Sequence, residues 1–85
     1  MDISRDEQRV LHALAQGGRI VLIRNQDRKI IDLQLFNRDG WLMPGCTPML
    51  FRKLKAKKAI KSLNGQPYRI TRRGLELVRS EYDNR

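Results

Sequence analysis

The sequence predicts an α+β fold of three helices and two β-hairpins, in the order helix, hairpin, helix, hairpin, helix. Three observations point there. Apolar residues recur at helical spacing in three separate segments. Two strand-like runs, Arg19 to Asn25 and Lys29 to Asn37, stand on either side of a short polar break. An Asn64-Gly65 pair divides two further short runs, and both residues of such a pair accept the positive φ of a tight hairpin turn.

Each element has its own local cause. Ser4 and Glu7 form a Ser-x-x-Glu capping box at a helix start. Val10, Leu11 and Leu14, with Ile3 on the same side, give this first helix an apolar face, and Gly17-Gly18 ends it near Gln16. The run Arg19 to Asn25 is apolar on both faces. The run Lys29 to Asn37 alternates, with Ile31, Leu33 and Leu35 on one face and Asp32 and Gln34 on the other. Gln26-Asp27-Arg28 joins them as a hairpin, and Arg38-Asp39-Gly40 is a turn. Thr47 followed by Pro48 is an N-cap with proline at the first helical position. The second helix then runs from Pro48 to about Lys57, with Leu50, Phe51 and Leu54 as its stripe and Met49, Arg52, Lys53 and Ala56 pointing away. Lys57 and Lys58 stand at its C-terminal end, where cations suit the macrodipole. The second hairpin pairs Ala59–Leu63 with Pro67–Thr71. Thr71 caps a third helix carrying Leu75, Val78 and Tyr82, and the tail Asp83-Asn84-Arg85 is expected to fray.

Eighty-five residues suffice for one domain, 1–85, with one modest core. The single cysteine, Cys46, allows neither an intrachain disulfide nor a cysteine-based metal cluster. The first residues are polar and acidic, without the basic and apolar regions of a secretory signal. No apolar run approaches the ~20 residues of a membrane span. These features predict a cytoplasmic protein.

Charge is distributed unevenly. Eighteen Lys and Arg stand against nine Asp and Glu, a net +9. Between Asp39 and Glu76 there is no acid, but there are nine bases: Arg52, Lys53, Lys55, Lys57, Lys58, Lys61, Arg69, Arg72 and Arg73. The other nine bases are matched in number by the nine acids, so the whole excess belongs to this segment. A field of one sign attracts polyanions or an acidic protein surface. With Asn64 and Gln66 at the tip of the second hairpin, these nine side chains are the candidate contact residues. The second helix offers Arg52 and lysines but no Asn or Gln, a set suited to phosphate attraction more than to reading bases. Tyr68 and Trp41 are the aromatics able to stack on a base or anchor a protein contact. His12 lies off the apolar face of the first helix, at a surface position. Cys46 stands at a helix start, where the dipole can lower a thiol pKa, but it has no histidine beside it. There is no Gly-rich phosphate loop, HExxH, CxxC or paired-carboxylate motif, so neither an enzyme nor a cofactor is expected.

From Thr47 to Gly74, a basic helix leads into a short hairpin and then a closing helix through Tyr68-Arg69-Ile70-Thr71. This resembles the second half of a winged helix-turn-helix domain, in which the helix enters the major groove and the hairpin, or wing, touches the neighbouring backbone. The fold is therefore expected to be winged-helix-like, with one departure: strands occupy Arg19 to Asn37, where such domains carry another helix. A further resemblance covers nearly the whole chain. It is carried by Ser4-Arg5-Asp6-Glu7-Gln8-Arg9, Leu11-His12, Leu14-Ala15, Gly17-Gly18-Arg19-Ile20 and Phe51 to Lys58. It continues through Ile60-Lys61-Ser62, Asn64-Gly65-Gln66-Pro67-Tyr68-Arg69-Ile70, Gly74-Leu75 and Asp83-Asn84-Arg85, and is weakest from Asn25 to Pro44. On these residues the sequence is similar to the YjhX family, which contains a bacterial toxin. The resemblance implies a toxin that binds and inhibits DNA topoisomerase I and is neutralised by an antitoxin protein. It carries over no catalytic residue. The alternative expectation is a winged-helix regulator binding duplex DNA, and another is RNA binding through the wing and Tyr68.

Overall fold

The chain begins with a helix because its first turn is closed by side chains. Ser4 N–H donates to Glu7 Oε1 at 2.9 Å, and Glu7 N–H donates to Ser4 Oγ at 3.1 Å, completing the capping box. The computed structural model describes residues 3–83, with side chains described for residues 3–79. Helix α1 spans Arg5–Ala15 and buries Val10, Leu11, Ala13 and Leu14. It ends in a Schellman motif: Gly18 N–H reaches Ala13 O, Gly17 N–H reaches Leu14 O, and Gly17 takes φ +109°.

Strands β1 (Arg19–Arg24) and β2 (Ile30–Phe36) pair antiparallel, with Ile20 opposite Leu35 and Leu22 opposite Leu33. The pairing slips between Ile23 and Arg24: Asp32 faces Ile23 but Ile30 faces Arg24, so Ile31 is an extra residue. The expected face of Ile31, Leu33 and Leu35 is therefore broken. Leu33 and Leu35 are buried, whereas Ile31 is exposed beyond the bulge. The chain then turns again to form β3 (Leu42–Met43), antiparallel to β2. The first expected hairpin is thus a three-stranded sheet in the order β1-β2-β3.

The two loops of this sheet share one construction. In one, Asn25 Oδ1 accepts from Asp27 N–H and Lys29 N–H. In the other, Asn37 Oδ1 accepts from Asp39 N–H and Trp41 N–H. The fourth residue of each loop is left-handed, Arg28 at φ 64° and Gly40 at φ 88°.

Helix α2 spans Pro48–Ala56, starts on Thr47, whose Oγ1 accepts from Leu50 N–H at 3.2 Å, and buries Leu50, Phe51 and Leu54. It ends in another Schellman motif, with Lys58 in the left-handed position at φ 59° and Ala59 N–H bonded to Leu54 O. The wing strands β4 (Ile60–Lys61) and β5 (Arg69–Ile70) are shorter than expected. The wing turn is as expected: Asn64 and Gly65 take φ 54° and 76°, and Gln66 N–H closes onto Leu63 O. Helix α3 spans Arg72–Asp83 and is capped by Thr71, whose Oγ1 accepts from Gly74 N–H. The expected stripe of this helix shifts. Leu77 and Val78 are buried while Leu75 is exposed, and the side chain of Tyr82 and the tail residues Asn84 and Arg85 lie outside the described residues. Gly74 sets the shift: it lies so close to the wing that a β-carbon there would stand 2.4 Å from Ala59 O. The face that continues from Gly74 at helical spacing is Leu77 and Val78.

A single core joins α1, α2, α3, β1, β2 and β4, centred on Leu11, Leu14, Ile20 and Leu54. One backbone bridge ties the two sheets. Ile20 N–H donates to Tyr68 O at 2.9 Å, and Tyr68 N–H donates to Ile20 O at 2.8 Å. The architecture is α+β, with three helices and two small antiparallel sheets. Among the described residues no helix is long and apolar enough to cross a membrane.

Candidate partner-binding surface

Burial of Leu50, Phe51 and Leu54 fixes how α2 presents its cations. At about 100° per residue, Arg52 and Lys55 are about 60° apart and form one stripe, while Lys53 lies on the opposite flank. The Lys55 ammonium stands 5.8 Å from the centre of the Tyr68 ring and 6.0 Å from that of Phe51. Those two rings meet edge to face at 5.0 Å. Tyr68 is half-buried, and this contact together with the Ile20 bridge ties it to both α2 and β1, leaving it less a free stacking platform. The stripe Arg52–Lys55 therefore runs through Tyr68 to the wing.

On the wing, Lys61 and Arg69 are exposed and directly opposite each other in the ladder. Like charges so placed are destabilising. Arg69 also donates to Gly17 O at 3.4 Å. Asn64 and Gln66 are exposed at the turn. Lys58 is exposed, and its carbonyl accepts from Thr71 Oγ1 at 2.7 Å. Arg72 and Arg73 are exposed on the first turn of α3, where Arg73 stands 3.7 Å from Glu76.

Lys57 does not join this surface. Its ammonium bonds Glu7 Oε2 at 2.7 Å, with side-chain exposures of 26% for Lys57 and 4% for Glu7. Burial pushes the Glu7 carboxyl up, but the hydrogen bonds from Lys57 and Ser4 outweigh it and hold the group below its ordinary value. Glu7 thus serves both the cap of α1 and the docking of α2. A sequence signal for it existed: Glu7 lies at helical spacing with Ile3, Val10, Leu11 and Leu14, an acid on the apolar stripe.

Lys53 faces a groove of 590 Å³ that it shares with Asp6, Arg9, Val10, Met43, Met49 and Leu50. No sequence pattern marks this groove, because it depends on where β3 and its exit loop run. Met49 and Leu42 are exposed, as is Trp41, at 72%. His12, expected at the surface, is half-buried. Cys46 packs against the core, and burial pushes its thiol up, overriding any effect of the nearby helix start.

The chain matches, over residues 1–85, a family described as "Putative toxin of bacterial toxin-antitoxin pair". It is 66% identical over 85 residues to a UPF0386 protein of Rhizobium etli, covering all of both chains. A UPF0386 protein of Agrobacterium fabrum is 64% identical over the full length of both. One from Hyphomonas neptunium is 61% identical over 84 residues, 99% of each chain. No solved structure matches. With a family match over its full length and full-length relatives of this identity, the chain belongs to the YjhX toxin family.

Proposed function

We propose that this chain is a toxin that binds bacterial DNA topoisomerase I directly and blocks DNA relaxation, so impairing replication and transcription, and that an antitoxin protein neutralises it. Its membership in a toxin–antitoxin family supports the general reading. The observation that bears on the mode of action is the basic stripe from Arg52 and Lys55 through Tyr68 to Lys61 and Arg69. The opposed Lys61 and Arg69 are a local cost to folding that a bound anionic partner offsets. A topoisomerase at work presents such a partner in its protein surface, its DNA, or both. The chain acts by binding, with no catalytic step of its own.

The test is relaxation of negatively supercoiled plasmid by purified topoisomerase I. The expected outcome is inhibition at near-stoichiometric protein, reduced at least tenfold in potency by Arg52→Glu with Lys55→Glu. Full relaxation in the presence of a large molar excess of folded protein would refute the proposal.

A second reading is a winged-helix regulator, favoured by the direct succession of α2, wing and α3. It requires a preferred duplex sequence. Equal affinity for unrelated duplexes at one salt concentration removes it.

A further inference from the structure

We propose that the outer edge of β1 accepts an extended, acidic peptide segment of a partner protein as an added strand. The edge is open for a definable reason. Ile20 turns its N–H and C=O away from β2 and toward Tyr68. Backbone groups alternate along an antiparallel strand, so those of Leu22 and Arg24 point the same way. Continuing the bridge in antiparallel register would bring Gln66 opposite Leu22. Gln66 is not available: its N–H is bonded to Leu63 O, and its C=O accepts from Ser62 Oγ. Pro67, between Gln66 and Tyr68, has no N–H at all. The wing therefore leaves β1 after one bridge, and a cleft of 590 Å³ opens between them.

On the other side of the sheet, β2 is covered in part by the two-residue strand β3. Beyond the short strand β3, Leu33 N–H is already bonded to the Asp32 carboxylate at 2.8 Å. β1 therefore offers outward-facing backbone groups at Leu22 and Arg24, and main-chain hydrogen bonds there provide affinity as in other strand-addition complexes.

Charge selects the occupant. The cleft lining includes Arg24 and no acid. A second copy of this chain would bring its own Arg24 and a net +9 to the same edge, which disfavours self-pairing. A nucleic acid strand satisfies the charge but cannot continue a backbone ladder. The inference uses backbone groups of β1 and does not depend on topoisomerase being the target.

The experiment uses the ¹⁵N-labelled full chain and a blocked peptide of alternating Glu and Val. Binding is expected to slow amide exchange at Leu22 and Arg24 at least tenfold, leaving Val21 and Ile23, which already face β2, unchanged. N-methylation of the peptide on its β1-facing residues should weaken binding at least tenfold, as should Arg24→Glu in the protein. A peptide with Lys in place of Glu should bind at least tenfold more weakly. No slowing at Leu22 with saturating acidic peptide overturns the proposal, and so does equal binding of the N-methylated peptide. Slowing produced by oligothymidylate and not by the peptide overturns it in favour of a nucleic acid site.

Discussion

Glu7 and Lys57 form the closer of the two ion pairs among the described residues. The two residues are 50 apart in sequence, and their ion pair holds the end of α2 against the start of α1. Removing one member of a buried pair strands the other charge. Glu7→Gln should therefore lower stability at neutral pH by about 2–4 kcal/mol, the lower end reflecting the partial exposure of Lys57. Because the folded carboxyl is held below its ordinary value, the pair contributes fully above the unfolded value of about 4.3. That contribution falls away as pH drops through this value toward the lower folded one. Urea melts at pH 7 and pH 3 check this: the gap between native protein and variant should be largest at pH 7 and clearly smaller at pH 3. Gly74 is the other residue-scale constraint. A β-carbon built there would overlap Ala59 O and Ile70 Cγ1. Gly74→Ala gains helix propensity but overpacks this contact. The net effect should be a loss of about 2 kcal/mol, read as a fall in Tm of about 10 °C in calorimetry.

Elements of this chain repeat each other's construction, with glycine in the left-handed position of one copy and a longer side chain in that of the other. Helices α1 and α2 both end in Schellman motifs, with Gly17 in the left-handed position of one and Lys58 in that of the other. The two loops of the first sheet are both organised by an asparagine, with Gly40 left-handed in one and Arg28 in the other. A non-glycine side chain in this conformation costs roughly 1–2 kcal/mol. Arg28→Gly should therefore raise stability by about 0.5–1 kcal/mol, after allowing for the greater freedom of glycine in the unfolded chain. A higher urea midpoint with unchanged slope is the expected reading, and an unchanged or lower midpoint contradicts it. The repetition also explains why β3 escapes a linear reading. Asn37-Arg38-Asp39-Gly40 mirrors Asn25-Gln26-Asp27-Arg28, and two like loops imply two like reversals. Taken alone, Arg38-Asp39-Gly40 reads as a simple turn, and Leu42-Met43 is too short to show a period.

At the scale of the whole molecule, the excess of +9 is presented by several surfaces. Arg52 and Lys55 lie on the flank toward the second hairpin, Lys53 faces the groove with Asp6 and Arg9, and Lys57 is half-buried in its ion pair with Glu7. Under the proposed reading in which the stripe meets duplex phosphates, this division predicts different salt responses, followed by anisotropy between about 50 and 200 mM salt. Replacing Arg52 and Lys55 by Gln should reduce the slope of log K against log salt by about 1.8, near 0.9 for each phosphate no longer neutralised. Lys53→Gln should leave the slope unchanged. Equal effects from both variants would mean that the charges act as one undivided field.

The sequence by itself determined the three helices, the pairing strands β1–β2 and β4–β5, and their order, but not β3. The capping box at Ser4 and Glu7, the Thr47-Pro48 start, the Asn64-Gly65 turn and the Thr71 cap are all present where local chemistry puts them. Each depends on hydrogen bonds and φ preferences that act within a few residues, so a linear reading can reach them. It also determined that the second half is basic. Only the tertiary structure decided which cations remain on the surface, that Tyr68 bridges the two sheets, and that β1 keeps an open edge. Those outcomes depend on Glu7 meeting Lys57 and Ile20 meeting Tyr68, pairs far apart in the sequence. Such meetings follow from how the helices and sheets pack around Leu11, Leu14, Ile20 and Leu54, and no local pattern in the sequence encodes their distances.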